Sequence, residues 1–154
     1  MMLELHNVII GQLINSLSLT VEDGQLVCLS GASGSGKTTL LRAVLGFLPV
    51  DGGHISIDGE LLTPRSAPYF RRQTAYVPQH LSVPPGYDAG PTDYLSLLNK
   101  AVQSGKSLLI VDEPSHPLSE RDAVLADNLL RDASQRGITV LAVNSRIQEK
   151  QVVL

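Results

Sequence analysis

A single cysteine, Cys28, occurs in the 154 residues, so no intrachain disulfide can form. That fits a reducing compartment, and within "LVCLS" the thiol reads as a small buried hydrophobe. Charge of one sign is also missing. Twelve basic against 15 acidic residues leave a net charge of −3, with both signs scattered, which excludes the basic footprint of a nucleic-acid partner. No apolar run approaches the roughly 20 residues that cross a bilayer. The start, "MMLELHNV", lacks the basic end and apolar block of a signal peptide, so a cytoplasmic protein is expected. His and Cys are nowhere grouped at metal-ligand spacing, so no protein-held transition metal is expected, and His54 and His80 read as lone, solvated or structural residues. There is no internal repeat or low-complexity tract. At 43% hydrophobic the chain can bury a core as a single domain, residues 1–154.

What is present alternates and then changes period. "LELHNV" and "LSLTV" carry apolar residues at every second position, the pattern of half-buried antiparallel strands, with a turn at Asp23-Gly24. "LVCLS" is apolar throughout, as a strand covered on both faces should be. "TTLLRAVLGF" has helical spacing and stops at Gly46 and Pro49; "GGHISIDGELL" predicts a hairpin and "TAYVPQ" a strand. From His80 to Pro91 three prolines and two glycines without periodicity predict a loop. "TDYLSLLNKAVQSG" predicts a helix capped by Thr92 and stopped by Gly105; "SLLIVDEP" predicts a buried strand. "SERDAVLADNLLRDASQRG" predicts a helix with Ser119 as cap and Asp122 in a loose capping box, ending at Gly137, and "ITVLAV" reads as the last buried strand. This rhythm is that of an α/β domain, a P-loop core with a mostly parallel sheet flanked by helices plus a small N-terminal antiparallel β-layer. "YFRRQ", Tyr69 to Gln73, reads as an amphipathic surface segment.

The chemistry concentrates in two places. "GASGSGKT" satisfies G-x-x-x-x-G-K-[ST] through Gly31, Gly36, Lys37 and Thr38. Its glycines turn backbone N–H groups onto phosphates, Lys37 reaches the β- and γ-phosphates, and the Thr38 hydroxyl serves Mg²⁺. The loop opens directly into a helix N-terminus, which favours anions. In "LLIVDEP", Asp112 at a strand end can hold the Mg²⁺ shell through water, and Glu113 can orient or deprotonate an attacking water.

With these stretches in hand, the sequence resembles the ATP-binding cassette (ABC) ATPases, the nucleotide-binding subunits of ABC transporters. The likeness rests on the run from Leu3 to Gly59, on "YVPQH" and on "LLIVDEPSHPLSERD", about 130 residues in order. It implies ATP and Mg²⁺ as cofactors and phosphate binding by Ser33, Gly34, Ser35, Gly36, Lys37, Thr38 and Thr39, with Gly31 opening the motif. It also implies that Gln79 is the glutamine touching Mg²⁺ on the γ-phosphate side, with catalytic roles for Glu113 and Gln79 and metal contacts from Thr38, Gln79 and Asp112. A transmembrane permease is the implied partner, which would hold the chain at the inner face of the membrane.

The sequence also departs from that family. About 32 residues separate Gln79 from Asp112, where members carry a helical subdomain ending in an L-S-G-G-Q signature; the subdomain reads as largely deleted between residues 80 and 92. "DAGPT", Asp88 to Thr92, stands where the signature would fall and matches only at Gly90. Ser119 replaces an aspartate, Ser145 replaces the switch histidine, His116 is no positional substitute, and "IIGQLINS" offers no aromatic to stack on adenine. A missing charge-stabilising donor costs about 2.7–4 kcal/mol, or 10²–10³ in rate. The expectation is therefore ATP binding with weak hydrolysis and no tight ATP-sandwich homodimer. The alternative is a non-hydrolysing nucleotide-binding module with a regulatory or interaction role. A small P-loop phosphotransferase would need lid arginines, and "HLSVPPGYDAGP" has none.

Overall fold

The computed structural model describes residues 1–32, 34–79, 93–114, 117–144, 146–147 and 150–154. Expectations placed on Ser33, on the stretch from His80 to Thr92, on His116 and on Ser145 lie outside the described residues.

The alternating N-terminal stretches pair as expected. β1 (Leu3–Ile10) and β2 (Ile14–Val21) run antiparallel, with Leu3 opposite Val21 and Ile10 opposite Ile14. Leu3, Leu5, Val8 and Ile10 are buried; one register shift, with Asn7 at φ 48, accommodates the change of phase between Leu5 and Val8, and a second follows between Val8 and Ile10. The all-apolar β3 (Leu26–Ser30) follows, then the glycine-rich loop and α1 (Lys37–Val44), whose Leu40, Leu41, Ala43 and Val44 are buried. β4 (Gly52–Ile57) and β5 (Glu60–Leu61) form the hairpin expected of "GGHISIDGELL", and the first sheet has the order β2-β1-β4-β5.

The second half alternates helices and strands: α2 (Ala67–Arg72), β6 (Thr74–Val77), α3 (Tyr94–Gln103), β7 (Leu108–Val111), α4 (Glu120–Gln135), β8 (Thr139–Val143) and β9 (Gln151–Val153). The five strands of the second sheet are parallel throughout, in the order β6-β7-β8-β3-β9. Two cores result. One lies between this sheet and the antiparallel layer and includes α1; the other lies on the opposite face under α3 and α4. The apolar runs of β3, β7 and β8 supply both: Val27 and Leu29 enter the first core, Leu26 and Cys28 the second.

Two local expectations need correction, and two elements were not foreseen. The cap of α3 is Asp93, not Thr92: its side chain accepts from the Ser96 N–H at 2.8 Å and from the Ser96 hydroxyl at 2.7 Å. β8 is the last buried strand, but a further, partly exposed strand that was not foreseen, β9, adds to the open edge of β3, with Leu29 opposite Val152. Three residues carry too little periodicity to be read as a strand, and the free edge that recruits them belongs to a distant part of the chain. His54 is not lone: it lies opposite His6 across β1 and β4, the rings stack at 4.6 Å, and His6 Nε2 bonds Glu4 at 2.9 Å. "YFRRQ" is amphipathic as read, and the helix it belongs to, α2, was not foreseen. Its α2 buries Phe70, and Arg71 sits 4.6 Å over the Phe47 ring while donating to the Leu45 carbonyl at 3.0 Å.

Candidate functional site

Because all five strands of the second sheet point the same way, their carboxyl ends share one edge, where ligands of open α/β sheets bind. The glycine-rich loop leaves β3 at that edge and enters α1. Gly31 at φ 153 and Gly36 at φ 97 hold conformations that favour glycine, and neither has room for a side chain. A Cβ on Gly31 would meet Ser35 Oγ at 2.7 Å and the Leu154 carbonyl oxygen at 2.9 Å; one on Gly36 would meet Ile14 Cδ1 at 3.0 Å. Leu13, half-exposed in the β1–β2 turn, also flanks Gly36. Gly34 is likewise left-handed at φ 81.

The N-terminus of α1 is left open to an anion. Gly36 is its N-cap and supplies no side-chain hydrogen bond, the first turn holds no acidic residue, and the first intrahelical bond is Leu40 N–H to the Gly36 carbonyl at 2.9 Å. The N–H groups of Lys37, Thr38 and Thr39 thus precede the helix's own bonding ladder. Lys37 Nζ donates to the loop carbonyls of Gly31 at 2.5 Å and Ala32 at 3.4 Å. Ser35 Oγ is buried without a hydrogen-bond partner among the described residues. Uncapped amides, an ammonium held over the loop and an orphaned buried hydroxyl are the donors that a nucleotide phosphate takes up, so these residues fit ATP.

Two predicted residues from opposite halves of the chain meet. The Thr38 hydroxyl donates to Asp112 Oδ2 at 2.8 Å, across 74 positions of sequence. Asp112 is buried; its Oδ1 accepts from the Glu113 N–H at 2.8 Å and its own N–H donates to the Val77 carbonyl at 2.9 Å. This hydroxyl–carboxylate pair is an oxygen donor set suited to Mg²⁺. Glu113 follows immediately and is half-buried. Gln79 is also half-buried; it follows β6, which pairs with β7 up to Val77 opposite Val111, so both chain segments leave the sheet at the same edge. No hydrogen bond joins Gln79 to Thr38, Asp112 or Glu113 among the described residues.

Two groups escaped the sequence reading. Tyr94, at the start of α3, donates its hydroxyl to the Asp112 carbonyl. Burial, and then the carboxylates of Asp112 and Glu113, push its phenol well above its ordinary range, so it stays a donor at any ordinary pH. Nothing in an apolar helical stripe marks which residue will spend a hydroxyl this way. The second group surrounds Arg146. Its guanidinium pairs with both Glu120 oxygens at 3.0 and 3.1 Å and with Asp127 Oδ2 at 3.1 Å, and its N–H donates to Asn144 Oδ1 at 2.7 Å. Asn144 Nδ2 donates to Asp127 Oδ1 at 2.8 Å. The Arg146 bond holds the Glu120 carboxyl below the usual carboxylate range, and Arg146 itself is raised by Glu120 first and Asp127 second. One signal existed in the sequence: Asp127 interrupts the buried stripe Ala126, Leu130 and Ala133.

Fold and site together define a P-loop α/β protein with an antiparallel β-layer against its sheet. The chain belongs to the ABC transporter family, whose model matches residues 14–93, just over half of the sequence. It is 41% identical over 83 residues to an uncharacterized ABC transporter ATP-binding protein of Haemophilus influenzae, covering 51% of this chain and 32% of that one. It is 29% identical to the thiamine import ATP-binding protein of Vibrio parahaemolyticus, covering 88% of this chain and 76% of the relative. Thus the chain spans about a third of the first relative's length and about three quarters of the second's. Among solved structures, the dimeric cassette of a bacterial ABC transporter superposes with a TM-score of 0.77 at 17% identity, over 99% of this chain and 94% of that one. The match establishes a shared fold. No helix among the described residues is long and apolar enough to cross a membrane.

Proposed function

We propose that the chain is an ABC-type ATP-binding protein, by family the energising subunit of a membrane transporter, that binds Mg·ATP and hydrolyses it slowly. The observation that carries this reading is the bond from Thr38 to Asp112, which brings the end of the phosphate loop to the end of β7 beside the uncapped start of α1. When bound, ATP supplies the phosphoryl group to be transferred and Mg²⁺ the charge that balances it. The residues of this chain then divide the work. Backbone amides from Gly34 to Thr39 and the Lys37 ammonium bind phosphate oxygens, together with Ser33 and Ser35. Thr38 and Asp112 would hold Mg²⁺ when it is bound, and Gln79 would be a further contact to it. Glu113 orients and deprotonates the attacking water.

Slow turnover is proposed because the sequence has Ser145 where the family has a proton-accepting histidine, and serine cannot take a proton near neutral pH. Ser119, where the family has an aspartate, caps α4 with its hydroxyl oxygen accepting from the Asp122 N–H at 3.2 Å, and it brings no carboxylate to this position. We also read the helical subdomain as deleted between 80 and 92 within one domain, 1–154. The alignment with the Vibrio protein runs over 181 residues, longer than this chain, and so supports residues in the relative that have no counterpart here. A permease partner would place the chain at the inner face of the membrane.

Glu113→Gln tests the central claim. It is expected to keep Mg·ATP affinity within about twofold and to lower turnover by about 10²–10⁴, the usual share of a general base. Hydrolysis by Glu113→Gln at the wild-type rate would remove Glu113 from the mechanism. Binding in both proteins with turnover in neither would instead establish the non-hydrolysing module.

A further inference from the structure

Beside Glu113 lies a cavity of about 230 Å³, walled by Leu98, Val111, Leu130 and Val143 from α3, β7, α4 and β8. Its rim is polar, formed by Glu113, Glu120, Asp127, Asn144 and Arg146. We infer that Arg146 is a positioning residue: with Asn144 it clasps the segment after β8 to α4 across this rim, and so fixes the segment that carries Glu113. The inference rests on the proposed role of Glu113 but is tested apart from it.

The clasp has a direction. Asp127 lies within the buried stripe of α4, with its side chain 12% exposed. A carboxylate there loses most of its hydration and persists only when paired and hydrogen-bonded. Both of its donors, Asn144 Nδ2 and Arg146 Nε, come from the same short segment after β8, and Arg146 N–H closes on Asn144 Oδ1. Replacing such a pair by apolar residues is often neutral or stabilising, so a buried ion pair speaks for placement more than for stability. The other end of the guanidinium reaches Glu120, the first residue of α4, through both carboxylate oxygens. Glu120 directly follows the cap Ser119, so the clasp grips α4 where the chain arrives from Glu113 and Pro114. The segment after β8 and the first turns of α4 are thereby held together beside a cavity that β7 also lines.

Hydrogen exchange of the whole chain, with and without saturating Mg·ATP, tests this directly. In Arg146→Ala the hydrogen-bonded amides of Glu113, Asp122 and Ala123 should exchange about tenfold faster, while those of β3 and α1 keep their wild-type rates, since a local opening leaves distant units closed. Arg146→Lys should restore part of the protection, because an ammonium reaches one carboxylate but not both. Turnover, if the wild type has it, should fall with KM unchanged. Unchanged exchange at those three positions would overturn the inference, as would a uniform rise including β3 and α1, which would make Arg146 a stabiliser only. Should Arg146→Ala fail to fold, Glu120→Gln removes only the exposed grip, and it must raise exchange at the same positions above the wild-type rates, by less than about tenfold, or the inference falls. A wild type without turnover would end the hydrolytic reading of Glu113 and leave the exchange result to decide the clasp.

Discussion

Asp112 serves two neighbours with one carboxylate, accepting from the Thr38 hydroxyl on one oxygen and from the Glu113 amide on the other, while Tyr94 fixes its carbonyl from the far side. Two donors therefore set where the side chain can point, and the third holds the backbone that carries it. Lys37 is less constrained: both its contacts are to loop carbonyls, which a phosphate can replace with a full negative charge. Hydrogen bonds to charged groups contribute about 1.5–3 kcal/mol, so Lys37→Ala should weaken Mg·ATP binding by about ten- to a hundredfold or more. Calorimetry with Mg²⁺ present measures it, and equal affinity in the two proteins would show that the loop does not hold the phosphates.

The start of α3 offers a test at the scale of an element. Hydrogen bonds from the Ser96 hydroxyl, and then from the Ser96 backbone, hold the Asp93 carboxyl below its ordinary value of 3.8. A folded value below the unfolded one means that the unfolded chain takes up the proton first on acidification. The ionised cap's contribution is therefore complete above the ordinary carboxylate range and is lost as pH falls through the folded value, in a window below about pH 4. Asp93→Asn retains a cap without the charge. The wild type's advantage in urea midpoint over this variant should be constant near neutrality and shrink below about pH 4; a gap independent of pH would mean that the charge of Asp93 does nothing for α3. The elements themselves were mostly legible because their signals are local. Alternation marks β1 and β2, an unbroken apolar run marks β3 and β7, and Ser119 and Gly137 bracket α4. What stayed hidden depends on distant partners. β9 is a strand only because β3 has an edge to offer, and His54 is stacked only because the register sets it opposite His6. At the site, the glycine loop and Asp-Glu pair could be read from spacing. The clasp could not, since Arg146 meets Glu120 and Asp127 only after β8 crosses back to the sheet.

For the whole molecule the proposal is a chain that holds ATP without pairing with itself. The family's sandwich closes one subunit's signature over the other's phosphates, whereas here Asp88 to Thr92 keeps one glycine of that signature and adds a carboxylate. Like charges about 4 Å apart repel by about 4 kcal/mol at an effective dielectric of 20, enough to oppose a closure that depends on the same contact. Sedimentation of Glu113→Gln with saturating Mg·ATP should show a monomer, and a clear ATP-dependent dimer would prove this wrong.

The two cores give the single thiol a use unrelated to its packing. Cys28 is fully buried on the face of the sheet under α3 and α4, whereas Leu40 and Leu41, which anchor α1 behind the phosphate loop, belong to the opposite face. A thiol reagent can reach that sulfur only when the α3–α4 layer lifts from the strands. Its labelling rate therefore counts those openings one by one, with no second cysteine to confuse the record. Comparing the rate with and without Mg·ATP asks whether filling one side of the sheet quiets the other.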